Sequence, residues 1–240
     1  TNAQTLQASP SETPEPEPQP TTQAENIQLI DRRVFEEGDE PRYEVDGVWP
    51  NLEGPETHVA PFNTESDRLT ESIKEDFLLA VTDEPGAMEG EGEAPLSYLT
   101  FDYDLTYSDQ QLFSVYLAFD QYIAMSAHPF PFSHAQNYDA QSGVFLNLED
   151  LFLSGTDYIN EIGSLLDQVL VDKELGYQAG TAEDVMLERE NWNLLSAGLR
   201  INFDVYEVAA YAAGPQNVLI PWSDLAGMID PNGPAARFID

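Results

Sequence analysis

The side chains best suited to chemistry here are three histidines, His58, His128 and His134, and 44 carboxylates spread over 240 residues. There is no cysteine, so thiolate catalysis, disulfides and thiolate metal sites are excluded. The run closest to a metal motif is Thr100-Phe101-Asp102-Tyr103-Asp104. A hydrolytic zinc site needs converging carboxylates and two histidines presented by one element. Tyr103 separates the two acids, and on a strand both would face solvent. His128 and His134 have Pro129 and Pro131 between them, so they cannot share a helical face. No serine-nucleophile elbow, calcium-binding loop or phosphate-cradling glycine loop is present. Paired-carboxylate chemistry stays open, because so many acids supply accidental pairs. The reading is a non-catalytic chain with no metal and no cofactor.

Charge is the stronger signal. Nine Lys and Arg against 44 acids give a net charge of −35, and no base lies between Lys74 and Lys173. Such a surface repels nucleic-acid phosphates and anionic lipid, and it attracts basic proteins, faster at low salt. It could also hold calcium weakly. Two stretches offer contacts for a basic partner. One is the Gly/Glu/Pro loop over 82–95, with Glu84, Glu89, Glu91 and Glu93. The other is an aromatic-acidic surface comprising His128, Phe130, Phe132, His134 and Tyr138, where rings anchor while charge steers.

These stretches must be positioned by a folded body. Hydrophobic residues make up 42% and aromatics 11%, enough for a core. No apolar run has the length of about 18–20 residues that a membrane helix needs. Residues 1–24 alternate Pro and Glu and read as an extended, disordered linker. A small α+β subdomain is expected over 25–95. Strand signals lie at Ile27–Ile30, Arg42–Val45 and Val48–Leu52. A helix is expected to start near Asn63, capped by Thr64, with Leu69, Ile73, Phe77 and Ala80 on one face. A larger subdomain is expected over 96–240. Leu99, Phe101, Tyr103, Leu105 and Tyr107 alternate with polar residues, and Phe113, Val115, Leu117 and Phe119 follow a short polar turn. That pattern predicts an antiparallel hairpin whose outer face carries Asp102, Asp104 and Tyr116. A second helix is expected over 156–173, then a hairpin around Ala197-Gly198 and a last strand at Val218–Ile220. The sum is an α+β fold: a mostly antiparallel sheet with two main helices packed on one face.

The residues from Asn137 onward also carry a resemblance. Asn137-Tyr138-Asp139, Gly143 and Leu146-x-Leu148-x-Asp150-Leu151-Phe152 form one half of a pattern. Phe203-Asp204-Val205-Tyr206 through Gly214-Pro215, closed by Val218-x-Ile220-Pro221 and Leu225, forms the other. Together they resemble the extracytoplasmic domain of the RsiV-like anti-sigma factors, a domain of unknown function. Trp49-Pro50-x-Leu52 resembles the small domain that precedes it, which is also an accessory region in peptidoglycan deacetylases. The Thr100–Asp104 run departs from the deacetylases' own Thr-Phe-Asp-Asp motif at Tyr103. The resemblance implies an extracytoplasmic binding or sensor domain, secreted or held at the cell envelope, with a cationic, lysozyme-like protein as partner. It departs from the family at His128-Pro129, where His-Gly is usual. A chain beginning at Thr1 fits removal of a signal or lipid anchor. The rival expectations are a cell-wall glycan-acting enzyme or accessory domain, and a structural envelope lipoprotein.

Overall fold

The computed structural model describes residues 26–83, 95–173 and 175–239. The expected linker over 1–24, and Glu84, Glu89, Glu91 and Glu93, lie outside the described residues.

Strands β1 (Gln28–Asp39) and β2 (Arg42–Glu53) form a hairpin, and helix α1 (Glu56–Asp83) follows. Then come β3 (Ser97–Ser108), β4 (Leu112–Tyr122), β5 (Phe130–Asp139) and the short β6 (Val144–Phe145). These six strands lie side by side in chain order. All neighbours are antiparallel except β2 and β3, which run parallel. A parallel pair needs a long crossover, and α1 supplies it. The segments 25–95 and 96–240 therefore share one continuous sheet. Helices α2 (Tyr158–Asp172) and α3 (Thr181–Glu188) precede a second, antiparallel sheet of β7 (Trp192–Leu195), β8 (Gly198–Phe203) and β9 (Gln216–Pro221). A single-turn helix α4 (Trp222–Leu225) follows. The architecture is α+β and mostly antiparallel, as the sequence predicts, with the strands shared between two sheets.

Each sheet has its own core. Phe62, Phe77 and Val81 of α1 pack on Leu99, Phe101, Phe113, Leu117 and Phe119. Ile162, Leu166 and Leu170 of α2, with Met186 of α3, pack on Leu199, Ile201 and Ile220. A polar seam joins the two. The Ser114 hydroxyl donates to Asn137 Oδ1 at 2.7 Å and accepts from Leu194 N–H at 3.0 Å, while Asn193 Nδ2 donates to the Val115 carbonyl at 2.9 Å. Buried amides of this kind hold one register between the sheets, because a slip would leave them unpaired.

Four expectations need correction. Helix α1 begins at Glu56, so Pro61 lies inside it and Thr64 is an exposed mid-helix residue rather than a cap. Asn63 instead clamps the end of β2: it accepts from Leu52 N–H at 2.7 Å and donates to the Leu52 carbonyl at 2.9 Å. The buried stripe of α1 includes Ser66 and Thr70, whose hydroxyls donate to the carbonyls of Pro50 and Ser66, both at 2.8 Å. Those hydroxyls disguise the helical period as polar, and Ala80 is only partly buried. The alternation of β3 does not run through to Tyr107. A bulge between Leu105 and Tyr107 exposes Leu105 and carries Tyr107 onto the second core. Finally, Thr181–Glu188 forms a helix beyond the two main ones expected.

Candidate functional site

Strand register builds an acidic cleft on the face of the large sheet opposite α1. Asp46 of β2 pairs with Thr100 of β3, Thr100 with Asp120 of β4, and Asp120 with Pro131 of β5. These residues form one cross-strand row. Asp102, one step along β3, lies in the next row opposite Ala118. Strands in a sheet are about 4.8 Å apart, so Asp46 and Asp120 stand about 10 Å apart with Asp102 between and beside them. The three carboxylates line a cleft of about 770 Å3. Arg33 closes one rim, where its guanidinium is already paired with Asp31 at 2.9 Å.

The opposite rim is aromatic. Tyr211, from the 3-10 turn Tyr211–Ala213, lines the cleft and donates to the Pro129 carbonyl at 2.8 Å. His128 stacks on it with ring centroids 3.8 Å apart. The exposed Tyr206 lies within hydrogen-bond distance of His128 Nε2, at 3.2 Å. The Tyr206 segment is held from below. Arg189 donates to buried Asp204, to Glu207 at 2.8 Å, and to the Ser133 carbonyl of β5. The Ser133 hydroxyl donates to Asp204 at 2.7 Å, and Asp204 N–H donates to Glu207 at 2.6 Å. This network fastens the turn after β8 to the large sheet. Burial works against the Arg189 charge, but the carboxylates of Asp204 and Glu207 outweigh it and raise its pKa above the ordinary value.

The expected aromatic surface is divided by this geometry. His128 joins the rim of the acidic cleft. Phe130, Phe132 and His134 lie on the other face of β5, where Phe132 stacks on Phe119 at 5.0 Å and His134 meets the same ring edge-on. Burial, and the nearby charge of Arg189, hold the His134 imidazole below its usual range. Tyr138 is fully buried and is a core residue rather than a surface contact. Its hydroxyl donates to the His58 carbonyl at 2.7 Å, and the Phe62 N–H is directed at the Tyr138 hydroxyl oxygen. The hydroxyl thus enters the first turns of α1, where Pro61 interrupts the ladder. Burial, the main cause, raises the Tyr138 pKa. His58 sits in the first turn of α1, far from the cleft rim in sequence and in element.

Sequence reasoning missed Asp46 and Asp120, and it placed Asp102 only on a solvent face. Asp120 occupies the outward phase of the β4 alternation, which was visible. Its alignment with Asp46 depends on a parallel pairing that was not. Among the described residues no group of three or more His, Asp or Glu is placed to hold a metal ion. No described helix is long and apolar enough to cross a membrane.

No curated protein matches this chain. Two solved structures share its fold. One is a member of the DUF3298 family from Bacteroides fragilis, 16% identical, with TM-score 0.65, covering 90% of this chain and 98% of that one. The other is a DUF3298 family protein from Pseudomonas aeruginosa, 17% identical, with TM-score 0.60, covering 85% of this chain and 96% of that one. Residues 149–223, which hold α2, α3 and the whole second sheet, match the family described as "Protein of unknown function (DUF3298)".

Proposed function

We propose that this chain is an exported, non-catalytic binding domain whose acidic cleft receives a cationic side chain of a basic partner protein. The observation that carries the reading is the convergence of Asp46, Asp102 and Asp120 on one cleft walled by Tyr211, in a chain of net charge −35. A guanidinium or ammonium entering it would gain charge-assisted hydrogen bonds and an aromatic contact, while the field of the whole chain would speed encounter. Export to the cell envelope and a lysozyme-like partner rest on the resemblance to the RsiV-like anti-sigma domain.

Calorimetric titration of the chain with a c-type lysozyme tests this. The expected result is a 1:1 complex at both low and physiological salt, weakened at least tenfold by Asp46→Asn with Asp120→Asn. Charge reversal at Glu89, Glu91 and Glu93 should change mainly its salt dependence. Binding at low salt alone would reduce the attraction to diffuse charge, which screening removes. An unchanged affinity in the aspartate variant would remove the cleft from the account.

A further inference from the structure

A second opening lies on the other face of β5. His134 and Gln136 pair with Leu117 and Val115, which belong to the core under α1, whereas Ser133 and Asn137 reach the second sheet. Between β5 and the first turns of α1 runs a groove of about 800 Å3, lined among others by Pro61, Leu69, His134, Gln136 and Phe145. Gln136 is only 5% exposed, yet among the described residues neither Nε2 nor Oε1 has a hydrogen-bond partner. Native proteins seldom leave a buried amide so, because both groups lose water and gain nothing. Burial favours the neutral form of His134, and the inner wall formed by Pro61, Leu69, Gln136 and Phe145 has no ionisable side chain besides it. At the rim Arg68 is already paired with Glu65, at 2.6 and 2.8 Å.

The backbone next to Gln136 faces the outer edge of β5. Odd-numbered residues of β5 point their peptide groups away from β4. The Asn137 carbonyl accepts from Leu146 N–H at 2.8 Å, and the Ser133 carbonyl is taken by Arg189. Ala135 lies between them in the same phase and lines the groove. Strand β6 pairs only with Tyr138 and Asp139, so it stops short of Ala135.

We propose that this groove takes an extended peptide segment of another protein, which continues the sheet at Ala135 and pairs a side-chain amide with Gln136. Strand addition would pair with the outward Ala135 peptide groups and send alternate side chains of the incoming segment toward α1. Asn or Gln carries its donor and acceptor side by side on one planar amide, which pairs with both groups of Gln136 at once and without charge, whereas a hydroxyl presents both on a single atom. The segment is neutral or basic. A second copy of a chain of charge −35, or the Glu12–Glu17 stretch of this one, is repelled. The site is on the opposite face of β5 from the acidic cleft and does not depend on it.

The test is selection from a random decapeptide display library against the full chain, with counter-selection on Gln136→Leu. Alternating apolar peptides without acids, sharing Asn or Gln at one position, are expected. The best synthetic peptide should bind at least tenfold more weakly to Gln136→Leu, and equally more weakly when its own amide residue is changed to Leu. The two changes together should cost less than their sum. Ala135→Pro, in the same outward phase as the native Pro131, should abolish binding without lowering Tm. Asp46→Asn with Asp120→Asn should leave binding intact, which separates this site from the cleft. Enrichment that ignores Gln136, or a peptide indifferent to both Gln136→Leu and Ala135→Pro, overturns the proposal. So does the absence of any enriched peptide; a higher Tm for Gln136→Leu would then mark the amide as a simple packing defect.

Discussion

Replacing Arg189 with Met removes a cation that ties the turn after β8 to the large sheet. The methionine keeps most of the aliphatic volume, so the change isolates the charge and its hydrogen bonds. Asp204 has 6% side-chain exposure and would keep only the Ser133 hydroxyl as a side-chain partner. Breaking a buried pair from one side typically costs about 3–5 kcal/mol, because the remaining charge stays desolvated. Arg189 and Glu207 retain 29% and 22% side-chain exposure, which places this case at the lower end, about 3 kcal/mol. For a chain of this size that corresponds to a fall in Tm of about 6–12 °C. Urea unfolding followed by tryptophan fluorescence reads it directly, since Trp192 is buried beside the seam and its carbonyl accepts from Asn137 at 2.7 Å. Adding Asp204→Asn to the variant should restore part of the loss, because no charge then remains buried. A cost below about 1 kcal/mol, the range of an exposed ion pair, would refute the reasoning. So would a double variant no more stable than the single one. The same substitution should loosen the Tyr206–Tyr211 rim and weaken partner binding at the cleft beyond any change in stability.

Tyr138→Phe should destabilise the fold by about 1 kcal/mol, the net worth of the part-buried hydrogen bond from its hydroxyl to the His58 carbonyl; differential scanning calorimetry on the two proteins decides it, and an unchanged Tm would mean the hydroxyl is dispensable. Gly198→Ala should cost about 1–3 kcal/mol, because its Cβ would lie 2.2 Å from the Ile220 carbonyl oxygen and a strand backbone cannot yield as a side chain can; a neutral result in urea unfolding would contradict the close approach of β8 and β9. His134 has a folded pKa below its unfolded value of about 6.5. The unfolded state therefore takes up the proton first, and the stabilisation present above that pH is lost as pH falls toward the folded value. His134→Phe should remove this component, so its stability difference from the unmodified chain should change between pH 7.5 and 5; a constant difference would show that the imidazole titrates normally.

Local periodicity was enough to read the α+β class, the β3–β4 hairpin, α2 and the strand at Val218–Ile220. Each depends on burial that repeats within a few residues, and Leu199, Ile201, Phe203 and Val205 were inward as their alternation implies. Reading failed where a distant partner changes what a residue can do. Ser66 and Thr70 sit in the buried stripe of α1 because backbone carbonyls take their hydroxyls. Tyr107 changes cores because one extra residue enters the ladder. Tyr138 looked like a surface aromatic because its partner, the His58 carbonyl, lies on another element. The cleft was legible only as a surplus of acids. The sequence by itself determined the charge, the absence of thiol chemistry and the phase of the β3–β4 hairpin up to Leu105 and of β8. Tertiary structure alone decided that Asp46, Asp102, Asp120 and Tyr211 share one cleft, and that Gln136 faces a groove without a partner. Strand register and the docking of the second sheet set those neighbours, and both arise from contacts between residues far apart in the chain, which no local pattern encodes.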